Sequence, residues 1–224
     1  MAKAAAFFDL DHTLIRRASV LALAGTFRER GVISRWDMAK AGMWQLLFTA
    51  RGADDEALRR AAEAGMRFLK GYSVDDMREL VGSAMETVLR PLVYEEPIHL
   101  VQQHRARGDC VYIVSASLQE IVDMIADDLG FDGAVGSTGE IVDGVYTGRA
   151  IRGAHGRAKA VAVREIAAAH DIDLAASTAY SDSHTDCPLF EAVGHPVAVN
   201  PDRRLRRIAR RRGWPILEFT RHAA

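Results

Sequence analysis

Short apolar runs that stop abruptly at a polar residue recur along this 224-residue chain. Residues 4–8 read Ala-Ala-Ala-Phe-Phe and end at Asp9, and residues 110–114 read Cys-Val-Tyr-Ile-Val and end at Ser115. Residues 178–180 run into Ser181 and Asp182, and Pro196 to Val199 runs into Asn200. Continuous apolar runs of this length fit strands buried on both faces, as in a parallel sheet covered by helices. The carboxyl ends of such strands share one edge, where α/β folds bind their ligands. The four polar stops therefore predict a site at that edge made of hydroxyl, carboxylate and amide groups.

Helical spacing separates the runs. Ser117-Leu118-Gln119-Glu120 has the form of a capping box opening an amphipathic helix that reaches about Leu129. A second helix is predicted over 157–170, with Ala160, Val163, Ile166 and Ala167 on one side. Residues 133–149 are glycine-rich with short β-prone pieces, and Val142-Asp143-Gly144-Val145 predicts a hairpin turn, hence a small flap at the sheet's edge.

Residues 16–92 carry no strand pattern. They predict helices near 18–30, 35–50, 54–70 and 74–90, with Ser34 to Asp37 and Ser73 to Asp76 marking two of the starts. A block of this size is no ordinary connection. It predicts a helical cap, 16–92, inserted into an α/β domain formed by 1–15 and 93–224. Trp36, Met43, Trp44, Leu47 and Phe48 recur at near-helical spacing and are expected to pack within that cap.

Composition narrows the class. Apolar residues make up 49% and charged residues 26%, ordinary for a soluble globular protein, and the net charge of −1 gives no reason to expect a nucleic-acid partner. Cys110 and Cys187 do not amount to a disulfide framework; Cys110 reads as a small core residue. No charged leader followed by an apolar stretch opens the chain, and no apolar run is long enough for a bilayer. The expectation is a cytoplasmic protein without stable membrane insertion, a monomer or homodimer. Seven arginines crowd residues 203–212. They predict a solvated helix, with attraction of an anionic partner as the alternative.

Asp9 and Asp11 lie two apart at the end of a buried strand and would repel unless a cation or a shared proton relieved them. Phosphoryl transfer uses both devices. One carboxylate attacks phosphorus to form an aspartyl phosphate, and the other protonates the leaving oxygen and then takes a proton from water. Ser115 offers a hydroxyl, the N–H groups of the following helix an anion site, and Lys159 a cation for the phosphate oxygens. Asp182 and Asp186 add carboxylates for a metal, and hard oxygen ligands suit magnesium. The substrate contacts expected are Ser115, Ala116, Ser117, Lys159 and Asn200, the last either orienting phosphate or starting the turn with Pro201.

At this point the residues resemble a family. Phe7-Phe8-Asp9-Leu10-Asp11-His12-Thr13-Leu14 is similar to the first motif of the haloacid dehalogenase (HAD) superfamily of phosphohydrolases. Ser115 matches the second motif, Lys159 the third, and Ser181-Asp182-Ser183-His184-Thr185-Asp186 the fourth, in order and over almost the whole chain. A helical cap between motifs one and two points to the phosphoserine-phosphatase-like branch. The resemblance implies a Rossmann-like parallel-sheet core with an inserted helical cap. It implies Asp9 as nucleophile and Asp11 as general acid/base. Magnesium would be held by the Asp9 side chain, the Asp11 main-chain carbonyl and the Asp182 side chain, with Asp186 supporting the site.

The activity implied is magnesium-dependent hydrolysis of a small phosphorylated metabolite: an amino acid, an amino alcohol such as histidinol phosphate, or a sugar phosphate. Arg28, Arg51 and Arg67 are candidate partners for a substrate carboxylate. Alternatives are a phosphotransferase or mutase, a lysophospholipid-type phosphatase and, last, a non-catalytic binding module. The absence of Gly-x-Gly-x-x-Gly after the first strand argues against a dinucleotide enzyme. The chain departs from its relatives at three places. Ala18 stands where phosphoserine phosphatases carry a glutamate, Ser115-Ala116-Ser117 replaces Ser-Gly-Gly, and Thr185 replaces an asparagine.

Overall fold

The computed structural model describes residues 3–32 and 55–221. Strand β1 (Ala5–Phe8) is followed by helices α1 (Ser19–Ala22), α2 (Ala24–Glu29), α3 (Asp55–Phe68) and α4 (Val74–Ala84). A π turn (Met85–Leu89) and a 3-10 turn (Arg90–Leu92) lead to α5 (Glu95–Ala106) and β2 (Cys110–Leu118). Next come α6 (Gln119–Leu129), the hairpin β3 (Gly133–Val142) and β4 (Val145–Arg152), then α7 (Arg157–His170) and β5 (Thr178–Ser181). The chain closes with α8 (Cys187–Phe190), β6 (His195–Val199), α9 (Arg203–Arg212) and β7 (Ile216–Leu217).

The strands form one sheet in the order β4-β3-β2-β1-β5-β6-β7. Only the β3–β4 pair is antiparallel, so this is the α/β parallel-sheet architecture expected. Phe8 lies opposite Ile113 on one side and Tyr180 on the other, and Tyr180 opposite Val197. That register brings Asp9, Ser115, Asp182 and Asn200, each at or just past its strand's central run, to one edge. Side chains alternate between faces as the pleat requires. Phe8, Val111 and Ile113 join a core with α4, α5 and α6, while Phe7, Tyr112 and Val114 join one with α7 and α9. Met77, Leu80 and Val81 of α4 share the first core with Ile121 and Ile125 of α6, so the described part of the insert packs directly on the sheet's own helices.

Several elements differ from expectation. The helix over 74–90 is α-helical only to Ala84, where a π turn begins just ahead of Pro91. Ser73 does cap it, accepting from Asp76 N–H at 3.0 Å. The capping box at Ser117 does not form. β2 runs to Leu118, and α6 begins at Gln119 without a side-chain cap. Helix α5 had no sequence signal, because the face it buries is only Pro97, Val101 and His104. Cys110 is half-buried rather than core. The segment 35–50, with its apolar stripe and Arg51 beyond it, lies outside the described residues.

Helix α9 behaves as a solvated helix, burying Leu205 and Ala209. Arg206 pairs with Glu218 at 2.6 Å and Arg212 with Glu191 at 2.8 Å. Among the described residues no helix is long and apolar enough to cross a membrane.

One contact bears on the site directly. A Cβ on Gly136 would lie 2.7 Å from Gln119 Cα and 2.8 Å from the Ser117 carbonyl oxygen. Backbone cannot yield there, so Gly136→Ala is expected to cost about 1–3 kcal/mol. A fall in thermal midpoint together with activity checks this; an unchanged midpoint would show that β3 is free to move away.

Candidate active site

Asp9 follows β1 directly, and its N–H donates to the Tyr180 carbonyl at 2.9 Å, which locks the strand end against β5. Its carboxylate is 6% exposed. Lys159, in the first turn of α7 and 4% exposed, donates at 2.6 Å both to Asp9 Oδ1 and to Asp186 Oδ2. The Ser181 hydroxyl donates at 2.6 Å to the same Asp186 oxygen. Thr13 Oγ1 stands 3.5 Å from Asp9 Oδ2, too far to hold it firmly.

The electrostatics are unbalanced. Asp9, Asp182 and Asp186 act on one another across this buried space, with Lys159 as the cation facing all three. Burial pushes the Asp9 carboxyl up to about 7 against the pull of Lys159. Asp182 is held well above the usual carboxylate range by burial and then by the charges of Asp9 and Asp186. Burial pulls Lys159 down, but Asp186 and Asp9 outweigh it and push Lys159 up, so it stays protonated.

Asp11 occupies the second half of the site. Burial raises its carboxyl, and the Ser19 N–H and Ser117 hydroxyl pull the other way. Ser19 N–H donates to Oδ1 at 2.8 Å and the Ser117 hydroxyl to Oδ2 at 3.3 Å. Ser117 stands in an irregular stretch where β2 advances four positions, from Val114 to Leu118, while β3 advances two, from Val135 to Ser137. This bulge lifts Ser115, Ala116 and Ser117 out of the ladder. Ser115 is buried and accepts the Ser117 N–H at 3.1 Å, leaving its own hydrogen to donate. Ala116 is exposed, and its carbonyl accepts from Ser137 at 2.7 Å.

The structure thus gathers Asp9, Lys159, Asp186 and Asp182 into one cluster, and Asp11, Ser117 and Ser115 into an adjoining one. Asn200 is turned elsewhere: its Oδ1 accepts the Phe219 N–H at 2.8 Å and ties down the C-terminal segment. His184 is bound to Asp202 at 2.8 Å, and His12 is exposed at the rim with φ +63°. Arg28 and Arg67 are exposed. Sequence reasoning missed Ser19, whose place beside Asp11 depends on how α1 leaves β1; no spacing rule pointed to it.

Among the described residues, no three acidic, histidine or cysteine side chains form a closed metal cage. A site of two carboxylates completed by main-chain oxygen and water needs none, and retained water is what magnesium prefers. Burial first, and then the neighbouring carboxylates, raise Asp9 and Asp182, and a divalent cation at that place would favour their ionised forms.

The profile of the haloacid dehalogenase-like hydrolase family matches residues 6–191. The chain is 38% identical over 224 residues to a phosphoserine phosphatase of Mycobacterium tuberculosis, covering 96% of this chain and 71% of that one. It is 30% identical over 223 residues to a histidinol-phosphatase of Neisseria meningitidis, covering 96% and 98% respectively. A solved structure of a protein of unknown function from Bordetella pertussis Tohama I superposes with a TM-score of 0.84 at 30% identity, covering 97% of this chain and 99% of that one.

Proposed function

The chain belongs to the haloacid dehalogenase-like hydrolase family, and from that premise we propose that it is a magnesium-dependent phosphomonoester hydrolase working through an aspartyl phosphate. The observation that carries the reading is Lys159 bridging Asp9 and Asp186 at 2.6 Å each, beside a separately held Asp11. In this reading Asp9, Lys159 and Asp11 serve as nucleophile, phosphate-facing cation and acid, gathered at one edge of the sheet.

Lys159 fixes the Asp9 carboxylate through Oδ1, so Oδ2 is the oxygen that attacks phosphorus. As the new P–O bond forms, the bond to the leaving oxygen breaks and Asp11 gives that oxygen its proton. Asp11, now ionised, takes a proton from water. The water oxygen attacks phosphorus, the bond to Asp9 breaks, and inorganic phosphate leaves. Ser115 and the bulge N–H groups receive the non-bridging oxygens with Lys159. The side chains of Asp9 and Asp182 and the Asp11 carbonyl would hold magnesium, with Asp186 bracing Lys159 beside it. When bound, the metal supplies charge neutralisation for the transferring phosphoryl group.

We assign residues 16–92 to a cap and 1–15 with 93–224 to the core. Support comes from the insert's two ends lying side by side: Arg16 N–H donates to Leu92 O at 2.9 Å, and Tyr94 N–H to Leu14 O at 3.0 Å. The substrate class is a small phosphorylated metabolite, such as an amino-acid, amino-alcohol or sugar phosphate. The named activities of the two relatives favour the first two.

A monoester panel assayed with magnesium and with chelator tests the activity; no phosphate release from any ester would overturn it. Thermal unfolding tests the metal independently. A carboxyl whose pKa is higher folded than unfolded stabilises the fold below its unfolded value and loses that contribution as pH rises through the folded one. For Asp9 the window runs from 3.8 to about 7, so metal-free protein should lose stability across it. Magnesium should then raise the midpoint more at about pH 8 than at about pH 5, since its ligands must be ionised. Equal shifts at both pH values would count against these ligands.

A further inference from the structure

Asp11 is gripped by two parts of the chain far apart in sequence. Ser19, the first residue of α1, supplies its N–H at 2.8 Å, and Ser117, in the β2 bulge, supplies its hydroxyl at 3.3 Å. The two hydroxyl oxygens lie 2.7 Å apart, and both residues are buried, Ser19 completely. A hydroxyl has one hydrogen to give. With Ser117 donating to Asp11, the serine–serine bond runs from the Ser19 hydroxyl to the Ser117 oxygen. The ring therefore closes in one sense, from Ser19 to Ser117 to Asp11. Ser117 is itself anchored, its N–H bound to Ser115 Oγ at 3.1 Å.

The two grips are unequal. The short N–H bond to Oδ1 anchors the carboxyl group, and the hydroxyl on Oδ2 fixes the rotation about that anchor, which decides where Oδ2 points. Oδ2, held by the longer bond, is therefore the oxygen that meets a leaving-group oxygen, and the Ser19–Ser117 pair sets the direction from which it does so.

We propose that the Ser19–Ser117 hydroxyl pair is a positioning device that aims Asp11 Oδ2 at the leaving-group oxygen and so sets how well the enzyme cleaves esters of poor leaving groups. This rests on Asp11 being the acid of the proposed reaction. The proton moves from Oδ2 to the ester oxygen as its bond to phosphorus breaks and the bond from Asp9 forms. Ser117 keeps its own hydrogen throughout and again donates a hydrogen bond to Oδ2 once that oxygen is ionised. An aryloxide departs readily without a proton and an alkoxide does not, so the device acts on alkyl phosphates above all.

The test compares phenethyl phosphate with p-nitrophenyl phosphate, using magnesium-loaded protein carrying Ser117→Ala, Ser117→Thr or Ser19→Ala. In Ser117→Ala the ratio of kcat/KM on the alkyl ester to kcat/KM on the aryl ester, which reports leaving-group departure and not the shared hydrolysis of the intermediate, should fall about tenfold. Ser19→Ala should lower the ratio less, and Ser117→Thr, which keeps the hydroxyl, should recover it. Equal fractional loss of kcat/KM on both esters, or no loss, overturns the proposal. Should Ser117→Ala fail to fold, the ratio in Ser19→Ala decides. Wild-type protein that releases phosphate from no ester of the monoester panel overturns the hydrolase reading, and an active wild type, assayed on the alkyl and aryl esters of that panel it cleaves best, with an unchanged ratio in the variants overturns only the positioning role.

Discussion

Asp9→Asn is expected to lower kcat by about a thousandfold or more on every ester the protein hydrolyses. The amide has nearly the shape of the carboxylate, but its oxygen is a poor nucleophile toward phosphorus. The same change should not unfold the protein. Asp9 is one of three acidic side chains facing Lys159, and burial already penalises its charge enough to push its carboxyl to about 7. Removing that charge relieves a cost, so metal-free Asp9→Asn should melt at or above the wild-type temperature near neutral pH. Activity and thermal midpoint measured on the same preparation separate chemistry from folding. Turnover within tenfold of wild type would end the aspartyl-phosphate mechanism.

Lys159→Met is the second large effect, and it should strike both properties. The lysine is 4% exposed and held by two carboxylates at 2.6 Å. A methionine fills much of its volume but leaves those carboxylates buried without their cation, a change expected to cost about 3–5 kcal/mol in metal-free protein. Turnover should fall by about a hundredfold or more as the phosphate oxygens lose their donor. Magnesium should return part of the stability and little of the activity, because it offsets charge on Asp9 without replacing a donor on α7. Urea unfolding with and without the metal measures the first, and phosphate release the second. A variant as stable as wild type in chelator would mean that the fold does not depend on the cation between Asp9 and Asp186. Arginine is not a conservative replacement here, since its planar fork does not fit a point-charge site between two carboxylates.

Much of the fold could be read from residue order. The strand cores at 4–8, 110–114, 178–180 and 196–199, the hairpin and the helix over 157–170 were visible because fully buried strands need continuous apolar runs and helices need 3.6-residue spacing. Helix α5 escaped because three buried residues make too thin a stripe. Ser117 was misread as a cap because the residue pattern of a capping box says nothing of where a strand stops. β2 continues to Leu118 since β3 pairs with it again there, beyond the bulge. Ser19 and the engagement of Asn200 with Phe219 were invisible for a related reason: both contacts join segments whose meeting is set by packing.

The sequence by itself determined the class of chemistry, because Asp9, Asp11, Ser115, Lys159, Asp182 and Asp186 stand at the ends of elements that a parallel sheet must bring to one edge. Local residue order suffices for that: strand length and side-chain alternation decide where each polar stop emerges. Only the tertiary structure decided the pairings within the edge. Lys159 bridges Asp9 to Asp186, residues 150 and 27 positions away, and Ser117 reaches Asp11 across 106. Contacts over such separations depend on sheet register, on the bulge in β2 and on the angle at which α1 departs. Those are set by the whole core at once, and no short stretch of sequence carries them.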